Sequence, residues 1–365
     1  MRRREFLSLP LALGASGCSL SRGSGPLGPE RAAQALRRGA EFLWKQQSAD
    51  GAWRSRTYGL LRGGESLTPF VLSAPIDTPD ERRGKASEWL RSRINQAGAV
   101  GMSDPALPDY PNYSTAFTLR AFVRLKPDGW REDAARMLRF LRGQQFNEAN
   151  GWKPEDLVYG AWGMGGEAHR PPQTGHVDLS MTRHVVEALV AAGVDRADPA
   201  LRKAAAFVRR CHNFNPAETT RLDGGFFFST VVEEANKAGA RDGGYLSYGT
   251  ATADGLRALL ALGPRENAAR IAAARLWLAR NFEPDHVPGF DHHPDLRWRQ
   301  GIFFYYAGAA AGVLSRPQLE QLVAELLQRQ RPDGGWANDE NLVKEDDPLI
   351  ATSLALRALT AYTTT

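Results

Sequence analysis

Side chains suited to proton transfer concentrate in two segments of the chain. One reads GHVDLS at residues 175–180 and is followed by His184. The other reads SYGTAT at residues 247–252 and is followed by Asp254. A carboxylate, an imidazole and a phenol held together can donate protons to a bound molecule and accept them from it. Because aspartate is a preferred helix N-cap, capping is the alternative role for the aspartate of GHVDLS. The candidate catalytic residues are His176, Asp178, His184, Tyr248 and Asp254.

A second group of polar side chains could bind a ligand or a metal ion. They lie in FFYY at 303–306, in the acidic run at 345–347 and in DHVPGFDHHPD at 285–295. Carboxylates and imidazoles bind zinc and similar ions, but no regular ligand spacing is present, so no cofactor is predicted. The last acidic residue precedes a proline, which is also typical of a helix N-cap. The candidate ligand-binding residues are Tyr305, Tyr306, Asp346, Asp347 and Asp291, and the metal candidates are His286, His292 and His293.

The helices that must position these residues recur along the chain. A basic residue, a small residue and an aromatic–aliphatic pair repeat at 38–43, 85–90 and 203–208, and looser copies surround Phe140, Trp277 and Leu326. A second helix follows each copy and carries a hydroxyl residue near its start. One hairpin cannot bury both of its faces, so the six predicted αα-hairpins must stack. The hydroxyl residues are Thr68, Thr115, Thr182, Thr252, Tyr306 and Thr352.

The second helices are less charged than the first, as in IATSLALRALTAY at 350–362. A helix that is apolar nearly all round needs cover on every side. A closed ring with an inner and an outer helix layer supplies that cover, so we predict an all-α (α/α)6 toroid. The first turns of the inner helices and the long loops at 153–177, 213–247 and 283–300 would line its cavity. We expect the candidate catalytic residues, Tyr305 and Tyr306 near the cavity mouth.

The segment RGAEFLWKQQSADGAW at 38–53 resembles the QW repeat of squalene and oxidosqualene cyclases at every defined position. LLQRQRPDGGW at 326–336 is a second good copy, and degenerate copies extend the resemblance over 30–362, the third ending in Gly151-Trp152. Protein prenyltransferase β-subunits share the toroid of these cyclases. The resemblance implies this fold and a hydrophobic isoprenoid-like ligand. It also implies that the repeat glutamines and tryptophans brace the outer helices.

The sequence departs from both families at their reactive groups. Asp-x-Asp-Asp, the general acid of class II cyclases, occurs nowhere in the chain, so cyclisation by the usual route is not expected. The Asp-x-Cys zinc element of the prenyltransferases is also missing, and Cys211 is interpreted as a core cysteine. The favoured function is a toroid that binds or processes an isoprenoid-like ligand. A carbohydrate-active (α/α)6 hydrolase or lyase and a non-catalytic protein-interaction scaffold are the alternatives.

The N-terminus predicts export and a membrane anchor. Arg3-Arg4-x-Phe6-Leu7 resembles a twin-arginine signal, and the apolar stretch after it is far shorter than the roughly 20 residues that span a bilayer. Ala15-Ser16-Gly17-Cys18 resembles a lipobox, so Cys18 is the predicted lipidation site. We predict a signal peptide at 1–17, a flexible tether at 18–29 and one toroid domain at 30–365. The lipoprotein would lie on the periplasmic side of a bacterial membrane, with the outer membrane as one alternative.

With 42% hydrophobic and 24% charged residues, the 365-residue chain has an ordinary globular composition. Its formal charge is +5, but the arginines are scattered and no aromatic–basic stripe appears, so no nucleic-acid partner is expected. Acylation of Cys18 leaves Cys211 alone, which excludes an intrachain disulfide. The predicted partners are a membrane, through the lipid anchor, and a small hydrophobic ligand.

Overall fold

The computed structural model of the chain describes residues 28–74, 80–101, 110–217 and 222–364. Helices make up nearly all of its regular structure, and the one sheet among these residues is an antiparallel pair of short strands. The helices are α1 (Pro29–Lys45), α2 (Leu67–Leu72), α3 (Asp80–Ser92), α4 (Pro111–Leu125), α5 (Trp130–Gly143), α6 (Leu179–Ala191), α7 (Pro199–Arg210), α8 (Gly249–Leu262), α9 (Ala268–Asn281), α10 (Trp298–Gly301), α11 (Phe303–Ala310), α12 (Arg316–Arg329) and α13 (Pro348–Thr364), and the strands are β1 (Ala240–Arg241) and β2 (Gly244–Tyr245).

Six helices form a closed inner ring. α2, α4, α6, α8, α11 and α13 each pack against the next, and α13 packs against α2. α1, α3, α5, α7, α9 and α12 form the outer layer behind them. The inner helices are buried on almost every face and the outer helices along one stripe, because only the inner helices have neighbours on all sides. The predicted all-α (α/α)6 toroid is confirmed.

Each well-formed QW repeat ties the end of an outer helix to the loop that follows it. The Trp53 indole donates to the Leu43 carbonyl at 2.7 Å. The Gln47 amide donates to the Gly51 carbonyl in its own loop and to the Arg82 carbonyl in the next outer helix. These bonds satisfy carbonyls that a helix end or loop would leave free. Equivalent bonds join Trp162 to Leu141, Trp336 to Leu326, Gln145 to Gly160 and Ala200, and Gln330 to Gly334 and Ala35.

The recurrent threonine of the inner helices has a defined partner in five units. Its Oγ1 accepts a hydrogen bond from the backbone N–H at the tryptophan position of the same unit, at 2.9 to 3.2 Å. Five of the six inner helices are thereby fixed to the loops of their own hairpins. The pairs are Thr68 with Trp53, Thr115 with Val100, Thr182 with Trp162, Thr252 with Phe226 and Thr352 with Trp336.

The third repeat ends at a different tryptophan from the one predicted. Trp162, rather than Trp152, donates to the end of α5, at 2.6 Å from the Leu141 carbonyl. Residues 146–159 are an insertion inside the repeat, so Trp152 lies in the inserted loop. The prediction was wrong because a Gly-Trp pair follows Gln145 closely in sequence and imitates the motif.

His212 replaces the glutamine in the fourth repeat. Its Nε2 lies 3.0 Å from the Gly224 carbonyl, its Nδ1 lies 3.3 Å from an Arg270 nitrogen, and its ring stacks on Phe226 with the centroids 4.0 Å apart. Burial lowers the pKa of His212 to about 4. The ring is therefore neutral at pH 7, with its proton on Nε2. Cys211 beside it is fully buried, and burial raises the pKa of its thiol.

Acidic residues before α13 help to join the last unit to the first. The Tyr58 hydroxyl donates to Asp346 Oδ1 at 2.5 Å, and the Ser55 hydroxyl donates to Asp347. The other oxygen of Asp347 accepts the Leu349 N–H at 2.9 Å and so caps α13. Both carboxylates are thus engaged in contacts within the fold.

The close approach of α1 to α13 explains the small residue in the first repeat. A Cβ atom on Gly39 would lie 2.7 Å from the side chains of Leu356 and Trp336. Gln330, at the end of α12, adds a hydrogen bond of 3.0 Å to the Ala35 carbonyl of α1. Any larger residue at position 39 would push the two helices apart.

The predicted signal segment, Cys18 and most of the predicted tether lie outside the described residues. Within the described part of the chain, no helix combines the length and the apolar character needed to cross a bilayer.

Candidate functional site

A cavity of about 530 Å³ lies at the end of the ring where the inner helices begin. Small-molecule sites in proteins commonly fall between roughly 300 and 1,000 Å³. Most of the wall is apolar, and aromatic rings contribute much of it. The apolar wall includes Phe70, Phe117, Met164, Phe228, Trp298, Ile302, Ile350 and Leu354.

One part of the wall is polar, and we call it the polar corner: Tyr113, His176, Asp178, Ser180 and Tyr305. Asp178 is the N-cap of α6, and its Oδ1 accepts the Met181 N–H at 2.7 Å. Its Oδ2 lies 3.2 Å from His176 Nε2. Asp178 therefore caps the helix with one oxygen and faces His176 with the other, so the two roles considered for it are compatible.

Three hydroxyl groups of the polar corner form a continuous chain. The Tyr113 hydroxyl lies 2.7 Å from Ser180 Oγ, which in turn contacts the Tyr305 hydroxyl. The Tyr305 hydroxyl donates to Asp254 Oδ2 at 2.8 Å and accepts a hydrogen bond of 3.0 Å from Arg183 Nη2. The chain thus links α4, α6, α11 and α8 and leads from the cavity into the interior of the ring.

A cluster of buried charges lies beneath the cavity. Arg183 is paired with Asp254 at 2.8 Å, and Glu187 contacts Arg183, Arg120 and Arg257 at 3.1, 2.9 and 2.7 Å. Although burial favours the protonated form, the three guanidinium groups hold the pKa of Glu187 well below its usual value. Burial raises the pKa of Asp254, and Arg183 opposes that rise. The cluster fills the ring where the polar corner ends.

The wall also carries four charged residues outside the polar corner: Glu234, Lys237, Lys344 and Glu345. Lys237 Nζ lies 4.6 Å from the ring centroid of Phe228 and 5.6 Å from that of Trp298. Glu345 accepts hydrogen bonds from the backbone N–H groups of Phe304 and Tyr305 at 2.9 and 2.7 Å. Burial nevertheless raises the pKa of Glu345 to about 7. Its carboxyl therefore titrates near neutral pH while it caps α11.

Three of the predicted site residues line the cavity: His176, Asp178 and Tyr305. His184 and Asp254 were expected at the mouth, but they lie deeper in the ring. An α-helix rises about 1.5 Å per residue, so the six residues from Asp178 to His184 carry the chain about 9 Å inward. Neither ring nitrogen of His184 has a hydrogen-bond partner among the described residues, and burial beside Phe117 holds its pKa well below the usual value.

Tyr248 and Tyr306 are also buried and do not line the cavity, contrary to the expected placement. Tyr248 packs against Phe290 with ring centroids 5.3 Å apart, and Tyr306 packs where α8 begins. In α11, successive residues point about 100° apart, so Tyr305 faces the cavity and Tyr306 faces the neighbouring helix. Asp346 and Asp347 likewise lie at the ring closure and outside the cavity wall.

The loop between α9 and α10 does not bring its histidines together. Among the described residues, His286 groups with Glu283 and Asp285, and no metal-type group includes His292 or His293. His286 is held by Asp285 at 2.7 Å and by Arg299 at 2.5 Å, while His293 turns back to the Asp295 backbone. Asp291 is exposed and is not part of the cavity wall.

Most lining residues were not predicted from the sequence, although a signal for five of them exists. The residue two positions before each recurrent threonine faces the cavity in five units: Ser66, Tyr113, Ser180, Thr250 and Ile350. Aligning the units on their threonines would have found this position. Lys237 and Glu345 lie in irregular loops, where no repeat spacing identifies them.

The fold is an α/α toroid like that of terpene cyclases. No protein-family model matches the chain, and no curated protein matches it. Among solved structures, the apo type II terpene cyclase MstE from Scytonema aligns with a TM-score of 0.59 at 14% identity, covering 93% of this chain and 99% of that one. A protein from Actinoplanes aligns at 0.58 with 18% identity, covering 92% and 100%. A glycosidase in complex with glucose aligns at 0.53 with 13% identity, covering 92% and 97%. At these identities the likeness is one of fold.

Proposed function

We propose that the toroid binds a hydrophobic, isoprenoid-like molecule in its central cavity, with the polar end of that molecule at the polar corner. The observation that supports this proposal best is the wall itself, which is mostly apolar and aromatic, with the polar corner on one part of it and four charged side chains elsewhere. An extended hydrocarbon gains roughly 25 cal/mol for each Å² removed from water, and the cavity can cover much of such a chain. A polar corner at one end of an apolar cavity suits an amphipathic molecule.

Proton transfer at the polar end is the chemistry that this site would offer. His176 is the imidazole that reaches the cavity, and Asp178 lies 3.2 Å from its Nε2 and can orient it. Asp178 is itself fixed by the Met181 N–H. Because the Asp-x-Asp-Asp acid is missing from the sequence, we propose His176 as the proton acceptor and do not propose class II cyclisation.

The fold neighbours are compatible with this ligand class. One MstE structure is described as a complex with geranylgeranyl dihydroxybenzoate, an isoprenoid-bearing molecule, and it aligns with a TM-score of 0.59 at 14% identity. Export and lipidation at Cys18 remain part of the proposal, because an anchor would hold the cavity beside a membrane that contains hydrophobic ligands. The mass of the N-terminal peptide from the membrane fraction, compared with a Cys18→Ala variant, tests the anchor separately.

Native mass spectrometry of the purified protein, followed by organic extraction, tests ligand binding. We expect a copurified lipid, or stoichiometric uptake of added farnesol, and we expect Ile350→Trp to abolish both by filling the cavity. Leu276→Trp is the matched control, because Leu276 is 48% exposed on the outer helix α9. Failure of every isoprenoid tested to bind, with the wild-type fold intact, would refute the proposal.

A carbohydrate-active enzyme is the second candidate, and one observation favours it. Asp178, Glu345 and Trp298 line the same cavity, and glycosidases use paired carboxylates. Both carboxylates, however, accept backbone N–H groups at helix starts, which leaves them little freedom to act on a sugar. Release of reducing sugar from glycans by the wild type, lost in Glu345→Gln, would favour this candidate over the first.

A further inference from the structure

We infer that the polar corner selects a ligand whose polar end is a hydrogen-bond donor, specifically an uncharged hydroxyl group. This inference rests on the proposed function, since it concerns the molecule that occupies the central cavity. It follows from counting the protons in the hydroxyl chain of Tyr113, Ser180 and Tyr305.

The proton of the Tyr305 hydroxyl has one destination. Asp254 is paired with Arg183 at 2.8 and 3.0 Å, and an ionised carboxylate can only accept hydrogen bonds. The Tyr305 hydroxyl must therefore donate to Asp254, from which it lies 2.8 Å away. Its oxygen already accepts from Arg183 Nη2 at 3.0 Å. One lone pair remains on Tyr305, and it faces Ser180.

The donor in each of the other two hydrogen bonds of the hydroxyl chain then follows, one after the other. Ser180 contacts the Tyr305 hydroxyl, which has no proton left to offer, so Ser180 is the donor in that contact. Because the single proton of Ser180 is used there, Tyr113 must donate to Ser180 across their distance of 2.7 Å. All three protons point towards Asp254. The oxygens of Tyr113 and Ser180 therefore offer the cavity acceptor lone pairs and no proton.

The neighbouring dyad has the same polarity. His176 Nε2 donates to Asp178 Oδ2 across 3.2 Å when the imidazole is neutral, which leaves Nδ1 as an acceptor. The Asp178 carboxylate can only accept, and its negative charge disfavours an anionic ligand group close by. A ligand ether or carboxylate would thus meet acceptors on two sides, whereas a hydroxyl can donate to one of them.

Charged groups elsewhere on the wall do not reverse this preference. Lys237 is the main competitor, but two aromatic rings face its amine, and its Nζ donates to the Ala235 carbonyl at 3.3 Å. Lys344 lies 5.8 Å from the ring centroid of Tyr58, and Glu234 and Glu345 add acidic groups to the same wall. The groups that contact one another at the corner therefore decide the selectivity.

The test uses three probes with the same hydrocarbon chain: farnesol, farnesyl methyl ether and farnesoic acid. We expect farnesol to bind the wild-type protein roughly tenfold more tightly than either of the others. The ether and the acid leave a buried acceptor of the polar corner without a donor, and this loss accounts for most of the difference in affinity. Isothermal titration calorimetry at pH 7 measures all three affinities. Equal binding of farnesol and its ether overturns the inference, and tightest binding of the acid overturns it in favour of Lys237.

Variants separate this inference from simple loss of fold. Ser180→Ala frees the Tyr113 proton to point into the cavity, so the preference for farnesol over the ether should fall to about twofold or less. Ser353→Ala is the control, because Ser353 is a buried serine of the inner helix α13 that bonds the Leu349 carbonyl and does not line the cavity. It should keep the wild-type preference. If none of the probes binds any variant or the wild type, the proposed function fails first.

Discussion

Replacing His212 with glutamine should make the fold more resistant to acid. Glutamine is the residue at the equivalent position in three other repeats, as Gln47, Gln145 and Gln330. Its amide can donate to the Gly224 carbonyl, as His212 Nε2 does in the wild type. Its oxygen can accept from Arg270 in place of Nδ1. We therefore expect the variant to fold at pH 7 with a stability close to that of the wild type.

The acid effect follows from the pKa of His212. Burial lowers it from the ordinary value of 6.5 to about 4, so the unfolded chain binds a proton more readily than the folded protein does. The stability that depends on a neutral His212 is complete above pH 6.5 and is lost as the pH falls towards 4. At pH 5 the loss is about 2 kcal/mol, from about 1.4 kcal/mol for each of roughly 1.5 pH units. Glutamine has no proton to gain.

Urea unfolding at pH 7 and pH 5 measures this difference. The fall in unfolding free energy between the two values should be about 2 kcal/mol smaller in His212→Gln than in the wild type. His292→Gln, at an exposed histidine of the loop between α9 and α10, is the control and should behave as the wild type. Identical losses in wild type and His212→Gln would show that the folded protein accepts a proton at this site, and the burial argument would then be refuted.

Three further outcomes can be checked by the same unfolding measurements. Glu345 has a folded pKa of about 7, above its usual 4.5. The stability that its protonated carboxyl contributes is therefore complete below pH 4.5 and is lost as the pH rises through 7. Glu345→Gln should remove this pH-dependent loss, which is about 3 kcal/mol between pH 4.5 and 8. Thr352→Val leaves the Trp336 N–H without its acceptor and should cost about 1–3 kcal/mol, whereas Thr363→Val, near the chain end, should cost little. Glu187→Gln leaves three arginines around an uncharged side chain and should cost about 3–5 kcal/mol; a cost under 1 kcal/mol would mean that water already screens the cluster.

The fold could be predicted from the sequence because its signal is repeated. The spacing of Gln47 and Trp53, with its echo at Gln330 and Trp336, reports hydrogen bonds that recur around the ring. A single mismatch, such as the false ending at Trp152, changes one unit and leaves the others intact. Periodic patterns therefore tolerate local error.

The site was harder to predict because it depends on depth and direction within a helix. His176 and Asp178 were placed correctly on the cavity because they precede an inner helix, while His184 and Asp254 lie further along their helices and are buried beneath it. Tyr305 on the wall and the buried Tyr306 are adjacent in the sequence. Sequence spacing gives the residues of a helix in order, but which face meets the cavity is set by packing against both neighbours.

The contact between α1 and α13 closes the ring, and a closed ring fixes the number of hairpins. An open stack of repeats can lengthen by duplicating a unit at either end. Here the Gln330 amide donates to the Ala35 carbonyl, 295 positions away in the sequence. A seventh hairpin would have to break this contact between the last unit and the first, and the loss of one hairpin would leave the two units too far apart to make it. We therefore expect variation in length to be confined to loops such as 146–159, which connect an outer helix to the next inner helix. In lineages that use this ring, we expect new ligands to be accommodated by changes in those loops, with the count of six preserved.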